Sequence, residues 1–483
     1  MTKYRCKACG YIYDNKKEEI DFIKLPKKYH CPICNRKKSQ FELADEFSSY
    51  EIKKVINANL TPYNAVVIDK NNSSIERVEG CINCGMCTKT CLQKENMPHN
   101  EKFLTCLGCG QCIFTCPKKV LQPKNEIYKF LEAKKSGKVC IAYIAPASRV
   151  SIGDSFGYNA GTFLGTKLVG LLKKIGFNYV FDVTFGADLT IMEEATEFIE
   201  RLENKKNLPL FTSCCPSWVK YVENYYPEFI NNLSTCKSPI GMEGTIVKKY
   251  FSKRMNIDEK NVFTVAITPC TAKKMEAIIP EYNTDLVITI SELTEYLQNT
   301  KINFSKIKPL KFDKQIGEGS GAGIIFGSSG GVLEAVLRTV NYNITGKKLK
   351  KINIEDVRGF NGIKETKIKI GEKTLNVCAV SGLANVRKLL DQIKRKKVSF
   401  DIVEVMNCEG GCLGGGGQPF NRINEMDYYK EKRMISLYKK DQSLKCRNSF
   451  ENIKIKKLYT DFLNYPNSPV AKELLHKSRG KDE

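Results

Sequence analysis

The chain has 483 residues, 42% of them hydrophobic, and a formal net charge of +24. That length predicts several domains with a sizeable core, and no apolar run reaches the roughly 18 residues a membrane span needs. Twenty-one cysteines against three histidines (His30, His99 and His476) point to sulfur-held metal, and argue against zinc hydrolases and carboxylate diiron sites, which lean on histidine. The N-terminus, Met1 to Cys6, has no signal-peptide core, so the expected compartment is the cytoplasm. The lysines are scattered, as in Lys347-Lys348, Lys350-Lys351 and Lys394 to Lys397, without an aromatic platform, so no nucleic-acid partner is expected. The charge fits either attraction of an acidic electron carrier such as a ferredoxin or a lysine-rich composition with no partner.

Residues 1–45 carry Cys6, Cys9, Cys31 and Cys34 as two C-x2-C knuckles. Four sulfurs in that arrangement suit one tetrahedral ion, zinc or a single iron. The flanking Tyr11-Ile12-Tyr13-Asp14, Leu25-Pro26, Lys38 and Phe41 make the segment resemble a rubredoxin, in a compact form. Iron would make it an electron relay, zinc a structural ribbon. Residues 46–75 read as a polar connector with one short strand at Ala65-Val66-Val67-Ile68. Residues 76–125 then hold two matching runs: Cys81, Cys84, Cys87, Cys91 and Cys106, Cys109, Cys112, Cys116. Both have the C-x2-C-x2-C-x3-C spacing of two-cluster ferredoxins, an α+β unit in which the fourth cysteine of each run serves the other cluster. That resemblance implies one 4Fe–4S cubane on Cys81, Cys84, Cys87 and Cys116, and another on Cys106, Cys109, Cys112 and Cys91.

From residue 126 to the end, short apolar runs alternate with helix-like segments. Val139–Ile144, Tyr179–Val183, Leu208–Phe211 and Val262–Ile267 predict a parallel sheet, with helices at Thr166–Lys174 and Thr190–Leu202. A second α/β unit is expected from Gly323–Phe326, Leu375–Val380 and the run from Phe400 to Val405, flanked by helices at Gly331–Thr339 and Leu383–Lys394.

Three stretches in this region carry the chemistry: Thr212-Ser213-Cys214-Cys215-Pro216-Ser217-Trp218, Thr268-Pro269-Cys270-Thr271-Ala272-Lys273, and Glu404 through Met406, Cys408 and Cys412 to the glycines 414–417. Thiolates hold iron–sulfur clusters, and glycine lets backbone approach a bulky ligand. In order, the three resemble the cluster-binding motifs of FeFe hydrogenases, and the resemblance covers the chain from about Glu76 onward. It implies a two-lobed catalytic domain at 126–483 with parallel sheets flanked by helices. In the crevice would sit an H-cluster: a 4Fe–4S cubane joined to a diiron site bearing CO, cyanide and a dithiolate bridge. Ligands at the C-terminal ends of strands agree with where α/β sheets place their sites.

The resemblance implies roles residue by residue. Cys215, Cys270, Cys408 and Cys412 ligate the cubane, and Cys412 bridges to the diiron site. Cys214 exchanges protons with the amine of the dithiolate bridge, since a thiol can act as a general acid and base. The proton route runs from Cys214 through a water, Glu194, Ser234 and Glu197 to solvent. Glu194 and Glu197, three apart on a predicted helix, share a face. Lys273 hydrogen-bonds a cyanide and Glu276 pairs with it or shapes its loop, whereas Lys274 is the better candidate for a surface lysine. Met406 and Pro146 pack near the diiron site, and Phe326 is either wall or ordinary core. The tail through Leu474-Leu475-His476 resembles the segment that wraps the catalytic domain, with His476 as packing or surface.

Two departures from the family pattern stand out: Thr268 replaces the methionine that usually opens the second motif, and Ile240-Gly241 replace two glutamines. Both should alter cluster potential and catalytic bias without removing a ligand. The reading is an enzyme for reversible 2H+ + 2e− ⇌ dihydrogen, dependent on maturation proteins and leaning to dihydrogen oxidation. The alternatives are a sensor with the same cofactor and a hydrogenase-like iron–sulfur assembly factor.

Overall fold

The computed structural model describes residues 3–6, 12–15, 20–32, 37–44, 73–82, 84–91, 106–349, 351–419 and 425–479. At the N-terminus, β1 (Lys3–Cys6) lies between β2 (Ile12–Asp14) and β3 (Phe41–Ala44), antiparallel to both. Strands this short gain little from backbone pairing alone. Their core is aromatic: Tyr4 stacks on Phe22 at 4.2 Å, and Tyr13 packs edge-on against the same ring. The Lys38 ammonium donates to the Ile23 and Leu25 carbonyls at 2.7 and 2.6 Å. Cys31 is buried, while Cys9 and Cys34 lie outside the described residues, as does the strand expected at Ala65–Ile68.

In the region of the two cysteine runs, β4 (Ile75–Arg77) pairs antiparallel with β5 (Leu121–Pro123) and brings its ends together. Between them lie α1 (Met86–Thr90) and α2 (Gln111–Thr115). Each begins after a left-handed glycine, Gly85 at φ 71° and Gly110 at φ 69°, a conformation costly for any residue with a Cβ. The repeated cysteine spacing is therefore a repeated backbone.

Eight strands follow in chain order: β6 (Val139–Ile144), β7 (Tyr179–Asp182), β8 (Leu210–Phe211), β9 (Val262–Thr268), β10 (Leu286–Thr289), β11 (Ile363–Ile370), β12 (Lys373–Ser381) and β13 (Ile402–Met406). They form two sheets, ordered β10-β9-β6-β7 and β11-β12-β13-β8. The first is parallel throughout. Alternate residues of β6 enter different cores, Ala142 and Ile144 one and Ile141 and Tyr143 the other, which is why the run is apolar without alternation. Helix α3 (Gly165–Ile175) covers one face. Helix α4 (Val183–Asn204) joins the lobes: Phe185 and Leu189 pack in the first, Ile191, Ala195 and Phe198 in the second.

Leu208–Phe211, expected in the first sheet, instead supplies β8, which pairs with β13 at the edge of the second. An apolar run reports burial and not its neighbour, so the crossover was invisible. Gly323–Phe326 is not a strand; it lies at the end of a helix spanning Gly321–Ile325. A short apolar run buried all round has no periodicity to separate the two states. The second sheet is also mixed, because β11 and β12 form an antiparallel hairpin.

Candidate active site

Parallel strands from both sheets deliver their C-terminal ends to one crevice. Pro146 opens the turn after β6, Cys214 and Cys215 follow β8, Cys270 follows β9, and Cys408 and Cys412 follow β13. Cys215 precedes α5 (Pro216–Tyr225), and Lys273 opens α6 (Lys273–Ala277). Together with Met406, Phe326, Thr268 and Ile240, these residues line a cavity with about 780 Å³ of atom-free space. Phe326 is thus both wall and core, at the edge of the second lobe's apolar cluster.

Burial pushes the Cys270 thiol up to about 11 and the Cys412 thiol up to about 12, with the neighbouring thiols adding to both shifts. Burial likewise raises the Cys214 and Cys408 thiols well above the ordinary value. Thiols gathered in a dry wall are poor anions alone and good metal ligands, because a bound ion takes the place of each proton. The donor set fits a cubane on Cys215, Cys270, Cys408 and Cys412, with Cys214 as a fifth thiol beside it. The Asn407 side-chain carbonyl, in the same wall, is buried with no hydrogen-bond partner among the described residues.

The second cysteine run seats directly against this cavity. A Cβ on Gly416 would lie 2.6 Å from the Gly110 Cα and 2.5 Å from the Cys109 carbonyl oxygen, so two backbones meet where no side chain fits. The Gln111 amide donates to the Gly414 carbonyl at 2.8 Å and to the Cys408 sulfur at 3.3 Å. Thr271 donates to the Gly108 carbonyl at 2.6 Å. Within the run region, Cys81, Cys84, Cys87 and Cys116 surround one small cavity. Burial raises the Cys109 thiol to about 12, with Cys106 and Cys91 adding to it. The fourth cysteine of each run is thus placed with the other run.

Lys273 is buried beside the cavity and donates to the Cys214 carbonyl at 2.9 Å and to Glu276 at 2.6 Å. Ser238 donates to the same Glu276 oxygen at 2.8 Å. Burial opposes the Lys273 charge, but Glu276 and the nearby thiols outweigh it and hold the pKa above its ordinary value. Lys274 is not a surface lysine. It is 2% exposed, donating to Glu292 at 2.9 Å and to the Val287 carbonyl at 2.8 Å. Its partner comes from a distant helix, so burial was not readable from the local sequence.

Behind Cys214, on α4, Glu194 is buried, and desolvation raises its carboxyl to about 8 despite the polar Ser234 hydroxyl nearby. Ser234 donates to Glu197 at 3.0 Å. Arg201 pairs with Glu197 at 2.6 Å, and both line a surface pocket with His476. The three relay candidates therefore run from beside Cys214 to the surface. Two partners were missed by the sequence reading. Arg201 was legible, four residues after Glu197 on one helix face; Gln111 sits between two ligand cysteines with no signal of its own.

Comparisons with known proteins agree with this geometry. Residues 138–416 match the family described as iron only hydrogenase large subunit, C-terminal domain; residues 427–478 match iron hydrogenase small subunit, and residues 3–41 match rubredoxin. The chain is 42% identical over 347 residues to Iron hydrogenase 1 of Clostridium pasteurianum, a match covering 70% of this chain and 60% of that protein. It is 44% identical over 294 residues to the periplasmic [Fe] hydrogenase large subunit of Nitratidesulfovibrio vulgaris, covering 59% of this chain and 70% of that one. The chain thus spans about three fifths of the first relative. An apo form of the [FeFe]-hydrogenase HydA1 from Chlamydomonas reinhardtii superposes with a TM-score of 0.66 at 34% identity, covering 73% of this chain and 98% of that chain. Among the described residues, no helix is long and apolar enough to cross a membrane.

Proposed function

The chain belongs to the iron-only hydrogenase family and carries a rubredoxin domain, and on that premise we propose that it catalyses the reversible interconversion of dihydrogen with protons and electrons. The observation that carries this reading is the single dry cavity into which Cys214, Cys215, Cys270, Cys408, Cys412 and Lys273 are brought from strands of two sheets. Cys215, Cys270, Cys408 and Cys412 would hold the H-cluster, which when bound supplies the iron site where dihydrogen is made or split. Lys273, fixed by Glu276, places a cation in the wall. Met406, Pro146 and Phe326 exclude water.

Protons move between Cys214 and solvent by way of Glu194, Ser234 and Glu197. A carboxyl raised to about 8 is protonated at neutral pH yet close enough to that pH to give its proton up. Electrons pass through two cubanes held by residues 76–125. The contact of Gln111 with Cys408 supports that order, since it joins the second run to the catalytic loop. The domain limits of this reading are 1–45 rubredoxin-like, 46–75 connector, 76–125 ferredoxin-like and 126–483 catalytic. Iron at Cys6, Cys9, Cys31 and Cys34 would extend the wire, with zinc as the alternative. A single-iron centre of this type generally lies at higher potential than ferredoxin cubanes, which favours dihydrogen oxidation as the working direction. An acidic, ferredoxin-like carrier in the cytoplasm suits the charge of +24, and maturation proteins must deliver the diiron unit.

Film voltammetry of anaerobically matured protein under dihydrogen tests the reading. Current on both sides of the proton/dihydrogen couple supports it, with the larger current on the oxidation side. A flat trace, with CO and cyanide infrared bands present, overturns catalysis in favour of sensing. Absence of those bands moves the chain to the assembly factors.

A further inference from the structure

At the outer end of the proton route, three side chains from separate parts of the chain converge. The Cys236 thiol lies 3.7 Å from Glu197 Oε2 and 4.0 Å from His476 Nδ1. All three ligand atoms fall within 4.8 Å of one another. Tetrahedral zinc with legs of about 2.2 Å sets its ligands about 3.6 Å apart, so small rotations would close the set. The backbone holds the pair of soft donors in place, because Cys236 and His476 form an antiparallel bridge.

The histidine is prepared in a specific way. Its Nε2 faces Glu193 Oε2 at 3.0 Å, and Glu193 is itself fixed by Tyr459 and by the Asn467 backbone N–H. A carboxylate on Nε2 keeps the proton there and leaves the Nδ1 lone pair pointing at Cys236 and Glu197. This is the outer-shell arrangement typical of metal-binding histidines. Nδ1 lies 2.7 Å from the Thr235 hydroxyl, a bond an ion would displace, and 4.0 Å from the Cys236 sulfur. Glu197 and His476 both line the solvent-facing pocket, which gives an ion its way in. Arg201 pairs with Glu197 Oε1, while Oε2 accepts from the Ser234 hydroxyl at 3.0 Å and the Thr235 backbone N–H at 3.1 Å, bonds an ion on Oε2 would have to share or displace. Arg201, Lys206, Lys472 and Lys477 oppose a cation there, and Glu193, Glu200 and Glu473 favour one, so the ion must be held by its ligands and not by the field of the pocket.

We propose that Glu197, Cys236 and His476 form a binding site for a zinc-class divalent cation, separate from the iron–sulfur sites. Binding replaces the thiol proton: Zn2+ joins the sulfur, Nδ1 and Oε2, and one proton leaves for solvent. The consequence for turnover rests on the proposed proton route: an ion on Glu197 removes its last carboxylate and slows proton exchange in both directions.

The test uses matured holoenzyme, with Zn2+ as the probe, and compares wild type with Cys236→Ala and His476→Gln. Equilibrium dialysis should show one more zinc per wild-type chain than per chain of either variant, and zinc-edge X-ray absorption should assign that ion one sulfur and nitrogen or oxygen neighbours. Glu193→Gln should weaken binding by about 10–100-fold. Equal zinc in wild type and both variants, with the variants turning over normally in zinc-free buffer, overturns the site. Zinc should also lower wild-type turnover and leave both variants unaffected. If the ion binds as described and wild-type turnover does not fall, the site stands and the route through Glu197 fails.

Discussion

In the region of the two cysteine runs Cys81 is exposed and Cys116 buried, with the other six partly covered, whereas Cys214, Cys215, Cys270, Cys408 and Cys412 line a cavity walled by alanine, proline, isoleucine and phenylalanine. The first set comes from short contiguous runs folded around left-handed glycines, Gly85 in the first and Gly108 and Gly110 in the second. The second comes from three loops spread between residues 214 and 412, each at the end of a different strand. Under the function proposed above, the contrast follows from what each region would pass. Electrons tunnel from a centre near the surface and need no access for atoms, so local spacing suffices. Proton chemistry needs a dry pocket with fixed donors, because low local dielectric strengthens every charge interaction inside it. Only a packed core of two sheets supplies that.

The sharpest way to break the comparison is to remove one ligand from each region. Cys270→Ala should abolish turnover and H-cluster infrared bands while the ferredoxin-like cubanes keep their paramagnetic signals. Cys81→Ala should do the reverse, sparing hydrogen/deuterium exchange at the active site but cutting electron delivery. Next in size, Cys214→Ala should lower turnover by about 10²–10⁴-fold, the range for loss of a general acid–base group, with iron content unchanged.

A smaller effect is expected from pH. Glu194, raised to about 8 by burial, carries its proton below that pH and loses it above. Dihydrogen production at fixed driving force should therefore fall as pH rises through about 8, and Glu194→Gln should erase that step in the profile. The smallest effect tests the seam between the regions. Gln111→Leu removes an N–H donor from the Cys408 sulfur, and such bonds stabilise the reduced cluster. The cubane potential should move negative on the order of 50 mV, from a bond worth about 1 kcal/mol, as read by a redox titration.

The seam also marks how far the sequence could be read. Gln111, Thr271 and Gly416 join two regions that are some 300 residues apart in part of their contacts, and nothing in any one motif says that they touch. Lys273 and Lys274 make the same point at shorter range. The first lines the cavity, but the burial of the second depends on Glu292, eighteen residues on and in another helix.

The sequence by itself determined the spacing of the cysteines, the alternation of strands and helices, and the family. Those are matters of spacing and local period, and both survive in one dimension. Only the tertiary structure decided that β8 belongs to the second sheet, that Gly323–Phe326 ends a helix, and that Glu197, Cys236 and His476 converge beside a surface pocket. Each depends on which buried surface meets which. Hydrophobic burial is non-directional, so the residues that require burial do not name their partners.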